Sequence, residues 1–517
     1  MALTRSRPLV RLRQVSQWVF LGAFLVACWK SSDIFFETNP SLMILTAISG
    51  REILHKLPAV LLILVPSMLL GRFFCGWICP MGTMIDAVGA VRSRGNRLSE
   101  KANRNVRVTK LVLWGILLAL ALAGVQYAWA LDPITMAGRF VSMIVMPALA
   151  YLVDGFFRLG AMLPVVGDWM DDAGRGLDIG GSSARAYGVA ASWAMTGLFL
   201  MATAVAVWIP RLWCRSLCPL GAFYALVGRF APMGRHTTGC NSCGICTAKC
   251  RMGAISNDGE YEKGECILCM DCVYDCPTGK TRLGFKQDRQ VEKHGGGSGI
   301  TRAQFIAMTA VPIAAGLVSR RIWAAGIIPL PMDPIRPPGA GPERNLSTLC
   351  VRCGNCMKVC PTNVIQPRMS GAGLADLWTP FMEYSVGYCE YNCNKCGEVC
   401  PTGALKELPI GVKRRTVLGL AQVDKKKCYP WNSGGECLVC EEHCPIPDKA
   451  IKRVKRGIGG GRTVECPAVD AELCIGCGIC QNKCPADPVA IMIAPLVEAE
   501  GKLKPKKNKK QEELNAA

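Results

Sequence analysis

The sequence predicts two architectures in one chain. An α-helical membrane part spans residues 1–230, and small α+β modules built on cysteine fill most of the rest. Three observations carry this. Half of the 517 residues are hydrophobic, and the long apolar runs fall mainly before residue 230. Most of the 30 cysteines come after them. Arg and Lys cluster beside the apolar runs, as in loops retained on the cytoplasmic side. That retention accounts for much of the net charge of +21, so no nucleic-acid partner is expected. There are four histidines and no Cys-x-x-Cys-His, so covalent haem is not indicated, and His55 alone cannot supply two axial ligands to another haem.

The membrane part reads as four main spans. Arg5, Arg7, Arg11 and Arg13 precede an apolar run at about 15–29, which places the N-terminus inside. A loop with Asp33, Glu37, Glu52 and His55 comes next on the outside, then a second span at about 57–74. Arg92, Arg94, Arg97, Lys101, Arg104, Arg107 and Lys110 face one acid, Glu100, and mark the next loop as cytoplasmic. The third span is about 111–130 and the fourth about 188–210. Between them, residues 140–153 and 156–167 are apolar but broken by Pro and Asp. Each is below spanning length, so both are expected to be interfacial or re-entrant.

The second and fourth spans run in the same direction and end in a shared motif. FCGWICPMGT contains Cys75, Cys79, Pro80 and Gly82, and WCRSLCPLGAF contains Cys214, Cys218, Pro219 and Gly221. Spacing of i, i+4 is expected to put both thiols of a pair on one helical face. Two related helix pairs would then bring four thiols together, as ligands for a further metal or cluster or as redox groups. Packing and helix termination form the alternative role. Cys28, within the first span, reads as a small buried apolar residue.

The stretch CNSCGICTAKC, then CILCMDCVYDCP, places cysteines at i, i+3, i+6 and i+10 twice. Three thiolates at three-residue steps wrap one corner of an iron–sulfur cube, and in two-cluster ferredoxins the fourth ligates the other cube. Cys240, Cys243, Cys246 and Cys276 are therefore expected to hold one 4Fe–4S cluster, and Cys266, Cys269, Cys272 and Cys250 a second. Zinc sites more often bring two cysteine pairs, commonly with histidine.

HGGGSG (294–299) reads as a linker. The apolar stretch Ala303–Ser319 reads as a fifth, anchoring segment. It opens on Thr301, Arg302, Ala303, Gln304, Phe305 and Ile306, a twin-arginine-like export pattern with Ala in place of the second Arg. The pattern favours export of the C-terminal half, whereas Arg320 and Arg321 favour its retention. After a proline-rich lead-in, four more quartets occur: Cys350, Cys353, Cys356 and Cys360; Cys389, Cys393, Cys396 and Cys400; Cys428, Cys437, Cys440 and Cys444; Cys474, Cys477, Cys480 and Cys484. Each ends before a proline, namely Pro361, Pro401, Pro445 and Pro485. They form two two-cluster modules, paired either as sequence neighbours or as first with fourth and second with third. Cys466 has no partners in sequence. Disulfides are the alternative for this half if it lies outside.

The fold class is thus an α-helical membrane domain of four main spans plus a fifth anchor, with α+β ferredoxin-like 4Fe–4S modules. The expected domains are 1–230 (membrane), 231–290 (two-cluster ferredoxin), 291–349 (linker, anchor and lead-in), 350–490 (four clusters) and 491–517 (basic tail).

The membrane half, with CGWICP and CRSLCP followed by the 240–276 ferredoxin, resembles NapH-type quinol dehydrogenase components and is similar to MauN, NosR and CcoG membrane parts. The second half resembles NapG and MauM: a twin-arginine-like leader, IRPPGAGPE, then CVRCGNCMKVCP and three further quartets. By this resemblance the two are fused in one chain. Departures are Ala303, Arg251 where proline usually follows the fourth cysteine, and the added segment 140–167. The resemblance implies a multi-pass inner-membrane protein that takes electrons from the quinol pool. It would relay them through six clusters to a periplasmic redox acceptor, a cytochrome or reductase, with the first ferredoxin cytoplasmic and the four-cluster domain periplasmic. Asp86 on the inner side and Glu52 and His55 on the outer are candidate proton acceptors. A maturation factor for a periplasmic metalloenzyme is the alternative, and a scaffold with purely structural clusters comes third.

Overall fold

The computed structural model describes residues 7–91, 98–161, 189–237, 240, 242–256, 261–285, 334–342, 346, 348–369, 376–458, 462–499 and 502–505. The 294–299 linker, the 301–306 export pattern and the 303–319 anchor lie outside them, as does most of the basic tail. The chain divides into two compact units. One comprises Met1–Ala148, Val189–Pro329 and Ser347–Cys353; the other comprises Leu149–Gly188, Leu330–Leu346 and Gly354–Ala517.

The first unit is built on helices. The first expected span is α1 (Pro8–Trp29). The second is a 3-10 turn and α2 (Leu61–Leu70), stopped at Gly71, whose φ of 73° suits glycine. Next come α3 (Phe73–Trp77), α4 (Pro80–Gly89) and α5 (Glu100–Leu122). After these stand α6 (Pro133–Gly160), which belongs to this unit as far as Ala148, and then α7 (Val189–Ala204), α8 (Leu212–Ser216) and α9 (Pro219–Phe230). Among the described residues, α5 and α6 are long and apolar enough to cross a membrane, while Leu57–Leu70 and Thr196–Val207 are shorter apolar helices. The outer faces of α1 and α2 expose Val15, Trp18 and Val19, and Leu61, Leu62 and Val65.

The expectation for residues 140–167 needs correction. Residues 140–153 are not a short interfacial piece; they run inside α6, one continuous helix of 28 residues. Pro147 would break an ordinary α-helix by removing a donor and crowding the preceding turn. Here Val141–Val145 adopt π geometry just ahead of it, and the helix continues.

The first ferredoxin module closes on an antiparallel pair, β1 (Gly234–Thr237) with β2 (Thr281–Gly284), in register Gly234↔Gly284. In the second unit, β3 (Ile365–Pro367) pairs with β4 (Pro380–Met382), and β5 (Leu420–Val423) with β8 (Ile491–Ala494). Between them β6 (Ile451–Gly457) and β7 (Thr463–Val469) form a longer ribbon. The β5–β8 pairing joins the chain ahead of the third quartet to the chain after the fourth, so these two quartets share one frame.

Candidate functional site: paired thiols against a cysteine-ringed cavity

The two Cys-x-x-x-Cys-Pro motifs meet. Cys75, Cys79, Cys214 and Cys218 are all buried and lie within electrostatic range of one another. They do not share one helical face as i, i+4 spacing suggests. Cys75 and Cys214 lie in the short helices α3 and α8, while Cys79 and Cys218 cap the following helices α4 and α9. The break has a local cause: Pro80 and Pro219 push the residue before them out of α geometry, and Cys79 and Cys218 have ψ of 117° and 112°. The Gly221 amide donates to Cys218 Sγ at 3.1 Å, and the Gly82 amide serves Cys79 in the same way.

An arginine three residues before each first cysteine crosses to the other repeat. Arg211 Nη1 donates to the Cys75 carbonyl at 2.8 Å, and Arg72 Nη2 to the Cys214 carbonyl at 3.0 Å. Both guanidiniums are buried and each has its own carboxylate. Arg211 makes a bidentate pair with Asp86 at 2.8 and 2.7 Å. Arg72 Nη1 meets Glu265 at 2.6 Å, and Lys110 joins the same carboxylate. Burial by itself would raise both acids, but the arginines and Lys110 outweigh it and hold Asp86 and Glu265 below the usual carboxylate range. The repeat R-x-x-C-x-x-x-C-P-x-G is visible twice in the sequence, so the arginines had a signal. Glu265 had none, because its partners lie 193 and 155 residues away.

Glu265 precedes Cys266 directly, so this ion pair fixes the first ferredoxin module against the thiol site. The contact is tight. A Cβ on Gly76, between Cys75 and Cys79, would lie 2.2 Å from the Ile267 carbonyl, and one on Gly264 would lie 2.4 Å from the Ala225 carbonyl. Trp77 Nε1 donates to the Leu268 carbonyl at 3.1 Å. Arg251 finds its reason here as well: it pairs with Asp271 at 2.9 Å and reaches Asp86 at 3.4 Å, which a proline cannot do. Asp86 is therefore a structural anion, and Glu52 and His55 are exposed.

The loop beyond holds a cavity lined by Cys250, Cys266, Cys269 and Cys272, with Ile255, Tyr261 and Ile267. That is the set expected for the second cluster. Of the first set, Cys240 and Cys243 are exposed, and Cys276 Sγ lies 3.4 Å from Thr278 Oγ1. Burial would raise the Cys276 thiol, but Thr278, Thr281 and two amides together bring it down to about 6.

The residues fit an anionic iron–sulfur group. In four loops the second and fourth residues after the first cysteine have positive φ: Ser242 and Gly244, Leu268 and Met270, Arg352 and Gly354, Gly476 and Gly478. Such turns direct successive amides into one concavity. Amides of Leu268, Asp271, Gly476 and Ile479 donate to Cys266, Cys269, Cys474 and Cys477 respectively. Ala254 N reaches Cys250 Sγ at 3.2 Å.

In the second unit the geometry chooses between the two pairings that sequence left open. A cavity is lined by Cys428, Cys437, Cys440 and Cys484, so the third and fourth quartets are partners. Cys477 has Cys389, Cys474 and Cys444 as neighbours, and Cys396 has Cys389, Cys360 and Cys393. Cys360, Cys444 and Cys484 thus each lie among the cysteines of the neighbouring quartet, which favours pairing of sequence neighbours. Tyr384 ties the modules together: its hydroxyl donates to the Gly476 carbonyl at 2.7 Å, near Cys389, Cys477 and Cys480. Cys466, unassigned by spacing, is buried in β7.

Comparison with known proteins agrees. A family model described as "4Fe-4S binding domain" matches residues 57–98 and 191–236, a "4Fe-4S dicluster domain" matches 349–404, and a further "4Fe-4S binding domain" matches 467–489. The chain is 34% identical over 202 residues to the ferredoxin-type protein NapG of Escherichia coli, covering 38% of this chain and 83% of that protein. It is 37% identical over 164 residues to the methylamine utilization ferredoxin-type protein MauM of Methylorubrum extorquens, covering 31% and 72%. Against the putative electron transport protein YccM of Escherichia coli it is 29% identical over 232 residues, covering 44% and 55%. No solved structure matches. On the cysteine-rich segments and this similarity, the chain belongs to the NapG/MauM family of 4Fe–4S ferredoxin-type electron-transfer proteins.

Proposed function

We propose that this protein is a multi-pass inner-membrane electron carrier that oxidises quinol and relays electrons through six 4Fe–4S clusters to a periplasmic redox partner. The ligands are the six quartets, with Cys250 and Cys276, Cys360 and Cys400, and Cys444 and Cys484 exchanged between partner modules. When bound, the clusters supply one-electron redox chemistry, and their potentials answer to burial and to hydrogen bonds at sulfur. The observation that carries the reading is the contact of the paired thiol motifs with the Glu265–Leu268 loop. The paired thiol motifs and the cluster site of Cys250, Cys266, Cys269 and Cys272 touch through Gly76 and Ile267, with no intervening side chain at Gly76.

The first unit also supports opposite placement of the two electron-carrying ends. Asn103 and Arg107, early in α5, donate to the Gly253 carbonyl of the first ferredoxin module. Past the other end of α5, Arg352 donates to the Gln126 carbonyl at 3.3 Å and stacks 4.4 Å from the Trp129 ring. From Asn103 to Leu122 the helix rises about 28 Å, close to a bilayer's hydrocarbon thickness. This favours a cytoplasmic first ferredoxin, with the segment that carries Cys350 at the other end of α5. The exposed apolar faces of α1 and α2 suit lipid.

The convergence of four buried thiols supports the second reading, a redox maturation factor acting on metal or thiols of a partner enzyme. One experiment separates them. Purified protein mixed anaerobically with a reduced quinol analogue should bleach the visible cluster absorbance. If quinol leaves every cluster oxidised while a deletion strain makes partner enzyme without its cofactor, the maturation reading replaces the first.

A further inference from the structure

The ribbon between the third and fourth quartets contributes no cysteine to a quartet, though Pro467 of β7 lines the cavity at Cys428. Its first strand, β6, reads Ile-Lys-Arg-Val-Lys-Arg-Gly, and every residue after Ile451 is exposed. Four of seven side chains are cationic. Arg453 is held by Glu441 at 2.9 Å and Glu465 at 3.5 Å. Lys452, Lys455 and Arg456 take part in no salt bridge among the described residues. The exposed run Lys425–Lys427 adds three more cations. Both groups converge on one aromatic ring. Lys425 Nζ lies 4.5 Å and the Arg456 guanidinium 5.9 Å from the centroid of Trp431. Trp431 also packs against the buried cluster of Cys428, Ala486 and Ala490, which borders the cavity lined by Cys428, Cys437, Cys440 and Cys484. Its indole N–H is anchored on the Pro467 carbonyl at 2.9 Å.

We propose that this basic ribbon is the docking surface for an acidic electron-transfer protein, with Trp431 marking where electrons leave the array. The proposal rests on the relay reading above. Charge complementarity names the occupant: five exposed cations with no salt bridge among the described residues, Lys425, Lys426, Lys452, Lys455 and Arg456, of which Lys425 and Arg456 reach Trp431 beside a cluster site, suit a partner whose redox centre has an acidic rim. The transfer is a single electron from the site ringed by Cys428, Cys437, Cys440 and Cys484 to the partner's haem or copper centre. No bond breaks and no proton moves. Such steering raises association rates by about 10- to 1,000-fold and fades as salt screens it.

The test uses the full-length protein in detergent and two small c-type cytochromes of opposite net charge as probes. Binding is followed by surface plasmon resonance at low and high salt. The acidic cytochrome should bind at low salt, weaken as salt rises, and lose at least about tenfold in affinity to a Lys452→Glu/Lys455→Glu variant. The basic cytochrome should bind neither protein. Both positions are exposed, so thermal stability should not move. Equal affinity of wild type and variant for the acidic probe would overturn the proposal. So would charge-reversal-sensitive binding to phosphatidylglycerol vesicles without any for the acidic cytochrome, which would assign the ribbon to lipid. Binding does not depend on reduction. A protein lacking iron sinks the relay, whereas an iron-loaded protein indifferent to acidic probes sinks only the docking surface.

Discussion

Replacing Glu265 with glutamine tests the joint between the thiol site and the first ferredoxin module. The change keeps the shape and removes one negative charge. It strands two cations, since Arg72 and Lys110 both have 0% side-chain exposure and both rely on this carboxylate. Breaking a buried ion pair costs about 3–5 kcal/mol, because the remaining charge stays desolvated and uncompensated. For a domain of 150–250 residues that corresponds to a midpoint lowered by about 6–20 °C. The assay is thermal unfolding in detergent, tracked by tryptophan fluorescence and by cluster absorbance. Adding Lys110→Met to the Glu265→Gln background should recover part of the loss, giving a coupling above about 1 kcal/mol in a double-mutant cycle. A single variant whose midpoint stays within about 1 °C of wild type would overturn this account, since it would mean that water already reaches the triad.

The same geometry yields further expectations. Gly76→Ala places a methyl 2.2 Å from the Ile267 carbonyl, so the loop must shift; we expect about 1–3 kcal/mol of destabilisation and altered EPR of the nearest cluster, whereas Gly115→Ala, which meets nothing within 4 Å, should be silent. Asp86 is held low by Arg211, so the native state binds fewer protons than the unfolded state. Its stabilisation is full above the unfolded value near pH 4 and is lost as pH falls through the lower native value. Asp86→Asn should abolish that part of the acid dependence of the unfolding midpoint. Cys360→Ser should disturb the cluster of Cys389, Cys393 and Cys396 in EPR redox titrations and spare the one associated with Cys350, Cys353 and Cys356. Tyr384→Phe loses the bond to the Gly476 carbonyl and should cost about 1–2 kcal/mol in the four-cluster domain.

Spacing made the ferredoxin modules legible, because three thiolates at three-residue steps are a local requirement of the cluster and survive in the sequence unaided. The exchange of Cys250 was legible for the same reason, from one pair of adjacent quartets. With four quartets in a row the pattern is degenerate, and only the β5–β8 frame and the cavity at Cys428 and Cys484 select neighbour pairing. The recurrence of Cys-x-x-x-Cys-Pro pointed to a shared thiol site, yet helical periodicity misplaced the thiols, since Pro80 and Pro219 end one helix and start another between them. Residues 140–153 looked too broken to cross a membrane, because composition registers Pro147 but not the π turn that accommodates it.

Contiguous residues carry the inventory of this protein: apolar helices, a duplicated thiol motif and six cysteine quartets. How these parts meet is a matter of folding in three dimensions. Arg72 with Cys214, Arg211 with Cys75, and Glu265 with both Arg72 and Lys110 are pairings across more than a hundred residues. Burial of a charge demands a partner, but it does not require that partner to be near in sequence.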